Sequence, residues 1–126
     1  MSLRTPMARV LGLGSAKDGT EDWWGQRVSA VALVLLGVWF AVSISSLASL
    51  EHSSAIAFIA APFNSVLLSL FCLTLAYHSN LGVQVVIEDY VHASWIKVTS
   101  LVASRFAHAL VAIVSVYAIL NIGLRV

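Results

Sequence analysis

The sequence predicts an all-α membrane protein whose three transmembrane helices pack with a partner subunit into a larger helical bundle. Of its 126 residues, 60% are hydrophobic and only 10% are charged, a balance foreign to a soluble domain of this size. Residues 28–50, 52–87 and 106–124 contain no Asp, Glu, Lys or Arg, so three segments reach about the 20 residues a spanning helix needs. The partner follows from size and polarity. Three helices enclose little interior, and Asn64, His78, Arg105 and His108 need better company than lipid.

Residues 1–26 read as an N-terminal arm. They hold Arg4, Arg9, Lys17, four glycines and one proline, and lack the apolar core of a signal peptide. The run from Gly12 to Thr20 lacks the Gly-Lys-Ser/Thr ending of a phosphate loop, so a linker or partner-binding arm is expected. Residues 27–126 form the anchor domain. Trp23 and Trp24 followed by Arg27 fit an interfacial aromatic belt with a cationic anchor. Span one covers about 28–48, and its Gly37 and several serines allow close helix approach.

The second apolar stretch needs dividing, because residues 52–87 as one helix would rise about 54 Å against a core of about 30 Å. Pro62 is the natural break, since proline's missing N–H costs nothing in a first helical turn. A short helix or loop at 53–61 on the outer interface should precede span two at about 62–87. Span three should cover about 97–123, with Arg125 flanking its outer end.

Basic residues set the orientation. Arg4, Arg9, Lys17 and Arg27 precede span one and Lys97 follows span two, whereas the loop after span one has none. The N-terminus and the Asp89 loop are therefore expected on the cytoplasmic or matrix side, which in a bacterium is the cytoplasmic face of the inner membrane, with the C-terminus periplasmic. A net charge of +1 provides no basic patch for phosphates, which excludes a nucleic-acid role. The single cysteine, Cys72, can form no intrachain disulfide and reads as a small buried hydrophobe.

The chemistry concentrates between residues 78 and 92. On one helix, His78 and Asp89 share nearly the same face about 16 Å apart, roughly half a bilayer core. An imidazole at that depth, with a carboxylate and the Tyr90 phenol at the boundary, suits a cofactor in the hydrocarbon and redox chemistry at its edge. Bland alternatives stand beside this reading. His78 could simply bond a neighbouring helix, Gly82 could serve packing, and Asp89 with Tyr90 could end a helix at the interface. Glu88 and His92 are secondary candidates for proton uptake, while His52 and His108 are the rival histidines.

Gly14 to Thr20, Trp23 to Ala30, Pro62-Phe63-Asn64, and Tyr77-His78 through Gly82 to Glu88-Asp89-Tyr90-Val91-His92 closely resemble the hydrophobic anchor subunit of succinate dehydrogenase, respiratory complex II, in its alphaproteobacterial, mitochondrion-like form. The resemblance covers nearly the whole chain in order. It implies a subunit that joins a cytochrome b-type anchor subunit and docks an iron-sulfur subunit and a flavoprotein subunit to the membrane. It further implies that His78 is an axial ligand of a shared haem b, that Asp89 and Tyr90 belong to the ubiquinone site, and that Arg27 lies near the haem propionates. FAD and the iron-sulfur clusters must sit on partners, because this chain has neither a Gly-x-Gly-x-x-Gly flavin motif nor a cysteine cluster. No activity is expected of the chain alone. The alternatives are a fumarate reductase anchor and a haem-free structural anchor.

Overall fold

A computed structural model of the chain describes residues 15–49 and 51–124, with side chains from Thr20 onward. They form four helices: α1 (Ser15–Ser45), α2 (His52–Ala60), α3 (Pro62–Tyr90) and α4 (Ser94–Gly123). The fold is all-helical among the described residues, and α1, α3 and α4 are long and apolar enough to cross a membrane. The predicted fold class holds, and so does the break at Pro62, which occupies the first turn of α3. Arg4, Arg9, Arg125 and the first part of the expected arm lie outside the described residues.

The helix ends extend past the sequence expectation for identifiable reasons. Span one was expected from Val28, but α1 begins at Ser15 and carries Trp23, Trp24 and Arg27 on continuous helix. The two indoles meet edge to face at 5.0 Å, and the Arg27 guanidinium lies 5.5 Å from the Trp23 ring centroid. Glu88, Asp89 and Tyr90 were expected in a loop; they form the last turn of α3 instead. Glu88 Oε1 accepts a hydrogen bond from Gln84 Nε2 one turn back, and Lys97 Nζ donates to the Glu88 carbonyl at 2.8 Å. A cation on the final carbonyls satisfies acceptors that a helix end otherwise leaves open. The third span starts at Ser94, one turn earlier than expected.

At the opposite end, α2 is folded back by bonds from the start of α3. Asn64 Nδ2 donates to the Phe58 carbonyl at 2.9 Å, and Ser65 Oγ donates to that of Ile59. These bonds answer the need of Asn64 for a polar partner and close the C-terminal carbonyls of α2. Trp39 stacks on Phe58 and Phe40 packs on Phe71, so α1 meets α2 and α3 through aromatic contacts. Gly123 brings α4 onto the same corner: a Cβ there would lie 2.9 Å from Ser65 Oγ.

α1 packs tightly on α3 at Gly25. A Cβ on it would fall 2.6 Å from Tyr77 Oη and 3.2 Å from Leu81 Cδ1. Leu81 is one of the few buried apolar residues, with Leu36, Leu68 and Ile119. Gly37, by contrast, has nothing within 4 Å. We expect Gly25→Val to cost about 1–3 kcal/mol through overpacking. The cost should register as a lower denaturation midpoint of the detergent-solubilised chain, while Gly37→Ala leaves that midpoint unchanged or slightly higher.

Candidate functional site

Polar side chains of α1, α3 and α4 collect at two levels near one end of the bundle. At the deeper level, half-buried His78 of α3 faces α1. Its Nδ1 lies 2.9 Å from Ser29 Oγ, and its Nε2 lies 3.3 Å from Gln26 Nε2. The Ser29 hydroxyl donates to the Gly25 carbonyl at 2.7 Å, so its one proton is committed and its lone pairs face the ring. Ser29 Oγ is therefore placed to accept from an Nδ1–H of the ring.

A groove of about 460 Å³ lies between α1 and α3, bounded by Asp22, Trp23 and Gln26 of α1 and by Leu81, Gly82 and Glu88 of α3; Gln26, which touches His78, connects it to the histidine. A Cβ added at Gly82 would meet only Gln26 Nε2, at 3.9 Å, so the groove floor is open one turn beyond His78. The Gln26 Oε1 atom is buried with no hydrogen-bond partner among the described residues. One end of this amide is thus unsatisfied while the other rests on the imidazole. Arg27 follows Gln26 in the chain, is exposed, and reaches the groove's rim through Trp23.

At the shallower level, Gln84 ties the three long helices together. Its Nε2 donates to Asp22 Oδ2 of α1 at 3.1 Å and to Glu88 Oε1 at 3.0 Å, and its Oε1 accepts from Arg105 Nη2 of α4 at 3.3 Å. Arg105 is thereby exposed and bonded to a neutral amide. Asp89 and Tyr90 lie just beyond, both exposed, with Tyr90 at 77%. His92 Nδ1 donates to the Tyr90 carbonyl at 3.0 Å. His78 and the Asp89–Tyr90 pair sit on one unbroken helix, which keeps the separation of about 16 Å expected from its rise.

The rival histidines are placed differently. His108 Nδ1 donates to the Ser104 carbonyl at 2.7 Å, and its Nε2 accepts from the Ser79 hydroxyl at 3.1 Å. It pins α4 to α3 with both ring nitrogens engaged. His52 opens α2, exposed at the far end of the bundle. Nothing in the sequence singles out Ser29, Gln26, Gln84 or Asp22 as a group. The only signals are the i, i+3 spacing of Gln26 and Ser29 on one helix face and an isolated amide at Gln84 in an apolar run.

A bundle of this kind is a multi-pass membrane subunit: three spanning helices with little core of their own, a histidine held at depth, and a polar face gathered at one end. The chain belongs to the family described as succinate dehydrogenase/fumarate reductase transmembrane subunit, whose sequence profile matches residues 1–120. The succinate dehydrogenase hydrophobic membrane anchor subunit of Paracoccus denitrificans is 32% identical over 120 residues, 95% of this chain and 92% of that protein. The corresponding subunit of Rickettsia bellii is 29% identical over 95% of this chain and 96% of its own length. The membrane anchor subunit of Reclinomonas americana is 30% identical over 77% of this chain and 83% of its own.

Gln84→Leu removes all three interhelical and intrahelical bonds at once and leaves the Arg105 guanidinium without its amide partner. A loss of about 0.5–1.5 kcal/mol is expected, because the bonds are exposed and only their net worth is at stake. The thermal midpoint of the detergent-solubilised chain measures it.

Proposed function

We propose that this chain anchors a succinate:ubiquinone oxidoreductase to the membrane, shares a haem b with a cytochrome b-type partner subunit, and forms part of the ubiquinone reduction site. The single observation that carries this reading is the placement of His78: half-buried on α3, its Nδ1 2.9 Å from the buried Ser29 hydroxyl and its Nε2 met only by an amide nitrogen at 3.3 Å. With that amide displaced, Nε2 would offer its lone pair to haem iron while Nδ1 stays bonded to Ser29, and Gly82 keeps the neighbouring groove open. The residues fit a flat macrocycle: Gly82 presents no side chain, and the orphaned Gln26 amide can leave Nε2 without breaking any bond of its carbonyl end. When bound, the haem supplies a one-electron redox centre. His78 would hold it, and Arg27 at the rim would meet its propionates.

The boundary pair serves quinone. An exposed phenol at the end of α3 donates a hydrogen bond to a carbonyl oxygen, a contact that strengthens as negative charge develops there. Asp89 orients that hydroxyl or holds water for the two protons that quinol formation consumes. The N-terminal end of α1, the end of α3 and the start of α4 lie together, joined through Asp22, Gln84, Glu88 and Lys97. With the basic residues on that side, this end faces the cytoplasm, where the flavoprotein and iron-sulfur subunits dock with FAD and the clusters. Succinate oxidation belongs to those subunits, and this chain has no activity alone. The docking end and the quinone residues therefore share one face of the bundle.

His78→Ala should abolish or strongly reduce the b-type band in a reduced-minus-oxidised spectrum of the assembled complex, with membrane insertion intact. Full haem content in that variant assigns the ligand elsewhere. Tyr90→Phe should lower ubiquinone reductase activity about five- to tenfold, the worth of one hydrogen bond. Succinate oxidation with a soluble artificial acceptor should persist; undiminished quinone activity sinks the contact.

A further inference from the structure

Beyond the ligand itself, we infer that Ser29 is a positioning residue for the haem: it fixes the tautomer and rotation of His78 and strengthens the imidazole as an electron donor to iron. The inference rests on the reading of His78 as the axial ligand. It starts from a relay of three groups, Gly25 carbonyl, Ser29 hydroxyl and His78 Nδ1, at 2.7 and 2.9 Å. Ser29 is the most buried of the described polar residues, 5% exposed, and its hydroxyl proton has the Gly25 carbonyl as an acceptor on its own helix.

Two further contacts agree with this assignment. Ser29 Oγ also lies 3.2 Å from the Gln26 carbonyl, so the hydroxyl proton has backbone acceptors on its own helix and none is needed from the histidine. Gln26 Nε2 lies 3.3 Å from the other ring nitrogen, a contact compatible with a lone pair on His78 Nε2. The Ser29 side of the ring thus favours the tautomer with the iron-binding lone pair on Nε2, and the Gln26 side is compatible with it. Gln26 acts as a weak placeholder there: its bond is the longer at 3.3 Å, and its carbonyl oxygen has no partner to lose. Ser29 stays in place when Gln26 is displaced, because its bonds run to backbone on the same helix.

A hydrogen bond from the distal nitrogen of a ligating imidazole raises its basicity and favours the higher oxidation state of the metal. Removing the acceptor should therefore shift the haem toward the ferrous form. In the purified four-subunit complex, Ser29→Ala is expected to shift the ferric/ferrous equilibrium about fivefold, a midpoint potential about 40 mV higher at 59 mV per tenfold for one electron. Ser29→Thr, which keeps the hydroxyl, should restore the parent potential. A Ser29→Ala complex that assembles without haem while Ser29→Thr loads normally also supports the assignment. A parent potential in Ser29→Ala overturns it, as does failure of Ser29→Ala to assemble or equal haem loss in both variants, since either makes Ser29 a packing group. His78→Ala measured in parallel separates the two ideas: haem retained there refutes the ligand reading, whereas haem lost there with an unmoved Ser29→Ala potential refutes Ser29 alone.

Discussion

Water is missing at membrane depth, and the structure is organised around that lack. A polar group there must find its partner in protein, because an unsatisfied donor or acceptor in hydrocarbon costs several kcal/mol. His78 finds both partners on α1, so the bonds that satisfy the ring also dictate how α1 lies against α3. Gly25 makes the arrangement possible twice over. Its missing side chain admits Tyr77 and Leu81, and its carbonyl takes the proton that would otherwise compete for His78. One turn of helix, Gly25 to Ser29, is both the packing surface and the second contact layer of the histidine.

The rest of the surface is the inverse of a soluble domain. Val31, Leu35 and Val42 of α1 are each more than 60% exposed, and few side chains are buried anywhere in the described bundle. In water such a surface would collapse or aggregate; against lipid or an apolar partner it carries no penalty. What holds the helices together is accordingly short-range. Glycine contacts, serine and asparagine bonds to carbonyls, and the His108–Ser79 and Gln84 bridges recur at intervals along the helices.

Much of this was legible in the sequence, because the strongest signals were physical limits on length and charge. Three uncharged runs and one proline fix the number of spans, and the observed helices agree with them. Helix ends were less legible. Glu88-Asp89-Tyr90 reads as a polar loop, but Gln84 one turn back and Lys97 on the next helix supply the partners that extend α3. Lys97 does this from the neighbouring chain segment, a tertiary contact that no local pattern announces. His78 stood out because a lone histidine in an apolar run is costly, whereas Ser29 did not, since serine is an ordinary packing residue in membrane helices. Its role comes from what it faces.

The two polar levels also differ in how charge is handled. At the shallow level Asp22 and Glu88 are matched by Arg105 and Lys97, and Gln84 stands between as a neutral connector able to donate to the anions and accept from the cation. At the deeper level both partners of His78 are neutral, a serine hydroxyl and a side-chain amide. The ring's orientation is then the work of bond direction rather than of charge. That division suits a site at membrane depth, where a polar group must be satisfied by protein and charge is costly to desolvate.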